Sequence, residues 1–159
     1  MPAKSPPKAH PEITLSPGDG VVQYSIFLRN KVGALLDIVK LLNECHVQVL
    51  ATSIETTADT AIARVVVSDP ESVERVFHVN NIPYSACPLV VVEFKEAVQF
   101  GDMLAALLAA EVNIFGAYAL LTRPHGLAAL ALHVEDNECA ANVLSCSGFN
   151  ILTQHDLSR

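Results

Sequence analysis

The stretch "MLAALLAAEVNIFGAYALL", Met103 to Leu121, decides the fold, because it admits two incompatible readings. It is apolar and long enough to suggest a membrane span. Against that, Glu111 and Asn113 sit at its middle, where a charge costs roughly 2.5–3.5 kcal/mol on insertion. The other reading divides it into a helix, "FGDMLAALLAAE" (100–111), and a strand, "VNIFGAYALLT" (112–122). The first half of the chain settles the matter, because the same helix-turn-strand occurs there in less apolar residues. Val32, Leu35, Leu36, Val39 and Leu42 form the i, i+3, i+4, i+7 stripe of a helix with one buried face. His46 ends it, and "VQVLATSIET" follows as a strand.

The rest of the chain repeats in the same way. Val21 to Arg29 is dense in β-formers and reads as the first strand. After the second strand come a turn at 57–59, a third strand "TAIARVVVSD", a helix "DPESVERVF" and a fourth strand beyond "NNIPYS". Asp69 suits the N-cap, Pro70 the first helical position, and Glu71 the positive end of the helix. The second half runs "PLVVVEF" (strand), the divided stretch above, "RPHG" (turn), "LAALALHVE" (strand), "DNECAANVL" (helix, capped by Asp136 or Asn137) and "GFNILTQHDL" (strand). Val47-Gln48-Val49 aligns with Val112-Asn113-Ile114 (112 − 47 = 65), and Ser68-Asp69 with Glu135-Asp136 (136 − 69 = 67). Each half is therefore a β-α-β-β-α-β unit of the ferredoxin-like kind, α+β in class, with two helices on one face of its sheet. The expected division is a Pro-rich flexible leader (1–20), a first unit (21–86) and a second unit (87–159). Two nearly continuously apolar central strands, 61–67 and 127–134, predict that the open sheet faces are also covered. A second copy of the chain, giving a homodimer, is the cover expected.

Composition narrows the function. Apolar residues make up 51% of the chain and charged residues 17%, with a net charge of -7. Phosphate-mediated nucleic-acid binding needs a basic face and is not expected. The third strands carry no aromatic, which argues against RNA recognition on the sheet. Cys45, Cys87, Cys139 and Cys146 show no paired spacing. They read as buried or half-buried thiols, so no metal and no disulfide framework is expected. With no secretory signal, the protein is expected in the cytoplasm, off the membrane. No nucleophile elbow, zinc helix, P-loop or dinucleotide fingerprint is present. The sequence therefore predicts no catalytic residues and no cofactor. His133 or His155 would be the residues to carry an enzyme reading.

The corner "RNKVGA" between the first strand and first helix is the candidate binding site. A helix start offers unpaired N–H groups and a positive dipole end, which suit a carboxylate. Gly33 keeps the backbone open to a ligand, and Asn30 can both donate and accept. The same residues are also ordinary turn chemistry.

On these residues the chain resembles a tandem ACT-domain protein. Two β-α-β-β-α-β units are opened by "FLRNKVGALLDIVKLLNECHVQVL", in which Asn30, Gly33 and Leu35 match the family's Asn/Asp-x-Pro-Gly-x-Leu. Val32 stands where proline is usual, and Val112-Asn113-Ile114 matches its Val-Asn-Ile. The resemblance is to the free-standing double-ACT proteins. It implies a regulatory, non-catalytic protein with an amino-acid ligand at an interface between units. Asn30, Lys31, Val32 and Gly33 would hold the ligand, and Gln48 or Asn113 would add a side-chain amide. In the second unit Val98 stands opposite Gly33 (98 − 33 = 65), so the functional corner is expected in the first unit only. The alternative is a dimerisation or docking module that regulates a partner enzyme or transporter without any ligand.

Overall fold

A computed structural model of the protein describes residues 20–158, so the expected leader lies outside it apart from Gly20. The elements run β1 (Val21–Arg29), α1 (Ala34–Glu44), β2 (Val49–Thr56), β3 (Thr60–Val67), α2 (Pro70–Val79) and β4 (Tyr84–Phe94). They continue with α3 (Gln99–Ala109), β5 (Ile114–Ala119), β6 (Ala128–Val134), α4 (Asn137–Cys146), β7 (Ile151–Leu152) and α5 (Gln154–Leu157). The fold is the α+β arrangement expected, and the Met103–Leu121 stretch divides into α3 and β5. No helix among the described residues is long and apolar enough to cross a membrane.

The strand order is β2-β3-β1-β4-β6-β5, with β7 also on β4. The last strand of the first unit and the first strand of the second are one strand. β4 pairs with β1 as far as Leu89 and with β6 from Val90 onward. It thus runs through the expected boundary at 86/87, and both units hang on the same backbone.

The repeat extends to details that periodicity does not show. Both second strands bulge at matching places, Val49/Ala51 and Ile114/Gly116. Helices α1 to α4 all end on a left-handed residue: His46, Asn81, Glu111 and Gly148. At each end the next residue's N–H reaches back to a helix carbonyl: Val47 to Leu42, Ile82 to Phe77, Val112 to Leu107 and Phe149 to Leu144. This is the Schellman cap, whose flanking apolar contact is supplied here by those four pairs within the helix-side cores.

Three cores result. Tyr24, Ile26, Leu42, Val65 and Phe77 fill the space under α1 and α2. Val90, Val92, Met103, Leu107, Leu132 and Leu144 fill that under α3 and α4. The third lies on the sheet faces turned away from the helices, with Val21, Leu50 and Val66 from the first unit and Leu89 from the shared strand meeting Val91, Ala129, Ala131 and Leu152 from the second. The cover expected from a second copy is thus supplied, over this part of the faces, by the chain itself. The Tyr118 hydroxyl donates across that interior to Gln23 Oε1 (2.7 Å), and burial pushes the Tyr118 phenol above its ordinary pKa.

The C-terminus departs from the expected strand. Only Ile151–Leu152 is extended, and Gln154–Leu157 turns into α5. Thr153 and Asp156 form a reciprocal capping box there, a device visible as Thr-x-x-Asp. Gln154 Nε2 then donates to Val67 O (3.0 Å) and Ser158 Oγ to Ser68 O (2.6 Å), which ties the chain end to the first unit. The thiols also differ from expectation: all four are free, but Cys45 and Cys146 are exposed and none is fully buried.

Asp69 caps α2 as predicted, accepting from Ser72 N–H (3.1 Å), and Asp136 does the same for α4 through Cys139 N–H (2.9 Å). Hydrogen bonds from Ser72 lower the Asp69 pKa below its ordinary 3.8. A lowered carboxyl pKa stabilises the fold above the unfolded value, and that stabilisation is lost as pH falls through the folded value. Asp69→Ala is expected to cost about 1 kcal/mol at neutral pH. Urea melts should show its gap to wild type narrowing only once the pH falls below the ordinary carboxyl value.

Candidate functional site

The predicted corner is a turn with a required glycine. Ala34 N–H donates to Lys31 O (3.3 Å) across Val32 and Gly33. Gly33 sits at φ 86, ψ -7, the third-residue geometry of a type II turn, which calls for glycine, while proline suits the residue before it. The second unit closes its corner differently. Val98, at the N-cap of α3, is right-handed, and Gln99 Oε1 accepts from Lys95 N–H (2.8 Å) and Glu96 N–H (3.1 Å). The two corners are thus alternative solutions to one bend, and Gly33 is explained by its backbone whether or not a ligand binds.

Asn30 also has structural work. Its Nδ2 donates to Thr57 O (2.8 Å) and its N–H to Asp59 O (3.1 Å), which fastens the corner to the β2–β3 turn. Beside this clamp lies a cavity of about 300 Å³ lined by Asn30, Lys31 and Gly33 together with Arg29, Leu36 and Thr56. A Cβ added at Gly33 would meet nothing within 4 Å. Helix α1 has no side-chain cap, and the N–H groups of Leu35 and Leu36 have no partner among the described residues. Asp37, in the same first turn, is not part of the lining. The arrangement offers two free amides and two cationic side chains to one small space.

The remaining expected residues are placed apart. Val32 is fully exposed and does not line the cavity. Gln48 lines a neighbouring cavity of about 360 Å³ with Asn43, Thr52 and Leu121, and Leu35 forms a wall of both cavities. Asn113 is exposed and lines neither. Gln48 and Asn113 share another role: their carbonyls accept from Ser68 N–H and Glu135 N–H (both 3.0 Å), joining the start of each second strand to the end of each third. Because β1 and β4 are antiparallel, the corners after Arg29 and after Phe94 lie at opposite ends of the sheet and do not meet within one chain.

The residues that the sequence reading missed are Arg29, Leu36, Ile54 and Thr56. The signal available for them was strand alternation, which puts Ile54 and Thr56 on the helix-covered face beside Leu28. Among the described residues no group of His, Cys, Asp or Glu is placed to hold a metal ion.

A search of curated proteins finds no match. Among solved structures, a protein from Bacteroides thetaiotaomicron superposes with a TM-score of 0.80 at 24% identity, covering 89% of this chain and 99% of that one. The regulatory subunit of aspartate kinase from Thermus thermophilus gives a TM-score of 0.56 at 12% identity, over 81% and 93% of the two chains. That from Thermus flavus gives 0.50 at 15%, over 82% and 94%. These likenesses show the fold. The family described as ACT domain pair matches residues 20–159, the whole of the doubled unit, and the chain belongs to that family.

Proposed function

We propose that this ACT domain pair is a non-catalytic regulatory protein that binds an amino-acid ligand at the Asn30–Gly33 corner. The observation that carries the reading is the pairing of unbonded Leu35 and Leu36 N–H groups with Arg29 and Lys31 around one cavity. Together they suit a carboxylate in a chain whose net charge is -7. Gly33, which leaves open space where a Cβ would stand, lets the ligand reach the backbone. Asn30 positions the corner, and Gln48 reaches the ligand only if it extends past Leu35. The regulatory role named in the Thermus proteins fits this reading.

Val32, Leu36 and Ile54 leave large apolar surface exposed around the cavity mouth. A second copy of the chain seated there would cover them and bury the ligand. The homodimer therefore belongs to the proposal, as does Asn113 contributed by the second copy. The free thiols suit a reducing cytoplasm. The same apolar rim also favours a second reading, docking on a partner enzyme with no ligand at all.

A thermal-shift screen against the twenty amino acids separates the two. A ligand at 100 times its Kd adds about 2.7 kcal/mol of stability, a rise of several degrees at this chain length. A flat response to every amino acid favours docking.

A further inference from the structure

We propose that the second unit carries its own, chemically different binding site, for a small molecule that combines an aromatic ring with a carboxylate. The corner after β4 opens on a cavity of about 580 Å³, within the size range of small-molecule sites. It stands where the first unit has its smaller cavity. Lys95 aligns with Asn30, Glu96 with Lys31, Phe100 with Leu35 (100 − 35 = 65) and Leu130 with Ala63 (130 − 63 = 67), and all line their respective cavities. One substitution removes a wall that the first cavity has, since nothing at residue 101 lines the second. Leu36 lines the first cavity, and its counterpart is Gly101 (101 − 36 = 65), whose added Cβ would meet nothing within 4 Å.

The lining has changed character as well. Phe94 replaces Arg29 and packs a tilted ring 6.4 Å from Phe100. Phe100 is 46% exposed, a large apolar surface that a flat ring could cover by offset or edge contact. Lys95 and Arg123 line the same space, and among the described residues neither is in an ion pair. Four of the seven lysines and arginines between residues 20 and 158 therefore line these two cavities. The turn that carries Arg123 is anchored, since His125 Nδ1 lies 2.7 Å from the oxygen Oε1 of buried Glu93. Glu93 also accepts from Asn150 Nδ2 (2.7 Å). The cations place a carboxylate at the rim, and the phenyl pair places a ring inside. Glu96 accommodates an ammonium group without requiring one. Since the two corners lie at opposite ends of the sheet, the chain would read two ligands independently.

The test is an amide ¹H–¹⁵N titration of the whole chain with L-phenylalanine and with phenylacetate. Gly126, which lines the second cavity, and Gly33, which lines the first, are separate reporters. Saturable movement of Gly126 and Gly101 with at least one probe, while Gly33 stays in place, is the expected result. Movement confined to Gly33, or none at millimolar probe, overturns the proposal. Gly101→Leu should weaken binding at least tenfold with the fold intact, since leucine is the better helix former. Arg123→Ala should weaken it about tenfold, and unchanged affinity in both variants also overturns the proposal. Failure of the first-unit site reads out at Gly33 and leaves the Gly126 response untouched.

Discussion

Phe77→Ala is expected to destabilise the whole chain, both units together, by about 3–5 kcal/mol. Phe77 is fully buried on the inner face of α2. Its ring meets Tyr24 edge-on at 6.1 Å and Tyr84 at 5.2 Å, so truncation opens a cavity and breaks two aromatic contacts. Tyr24 is held on its far side by the hydrogen bond its hydroxyl donates to Glu74 Oε1 (2.8 Å), which limits collapse into the gap. A loss of this size lowers Tm by about 6–20 °C for a chain of this length. The sharper point is cooperativity. Tyr84 begins β4, the strand whose other end builds the second unit. Val91 and Leu152 share the third core with Val21 and Leu89. Calorimetry should therefore show one transition moved down as a whole. A first-unit transition that drops while a second stays at the wild-type temperature would show that the units fold separately.

The shared strand also marks the limit of what the sequence could say. Apart from the C-terminal turn into α5, strand and helix types, the duplication and the Asp69 cap are legible, and Asp136 stands as one of two candidates for the α4 cap, because each rests on local periodicity or a local side-chain bond. "IPYSACPLVVVEF" carries Pro88 between two apolar runs, which locally reads as a break. Pro88 is tolerated because it lies near the point where β4 changes partner, between Leu89 on β1 and Val90 on β6. That handover is a tertiary fact. The cover on the open faces is another: apolar strands show that something lies over them, and only the packing shows that the other unit does. Asn30 and Gly33 line the first cavity, but their turn and clamp roles are not separable from ligand roles by residue type. The second cavity is not legible from the loss of the glycine, because Phe94, Lys95, Phe100 and Arg123 come together only when β4, α3 and the β5–β6 turn are packed.

Gly33→Asn separates the turn from the ligand. A β-branched or alanine replacement confounds the two, since a left-handed position costs an ordinary residue roughly 1–2 kcal/mol. Asparagine visits that region at low cost, so the turn at φ 86 is kept and stability should stay near wild type. Its side chain would nevertheless occupy the open space beside Gly33, in the mouth of the cavity shared with Arg29 and Lys31. The amino acid that stabilises wild type by about 2.7 kcal/mol at 100 times its Kd should, with binding tenfold weaker, give about 1.4 kcal/mol at the same concentration. An undiminished shift in a folded Gly33→Asn protein would mean that the ligand lies elsewhere and that Gly33 serves the turn alone. A variant that does not fold would show instead that the turn at φ 86 does not accept asparagine. Val32→Pro then keeps the test open, because it rigidifies the same turn from its preferred proline position and leaves the cavity lining unchanged. A ligand shift retained in Val32→Pro and lost in Gly33→Asn places the contact at the glycine backbone.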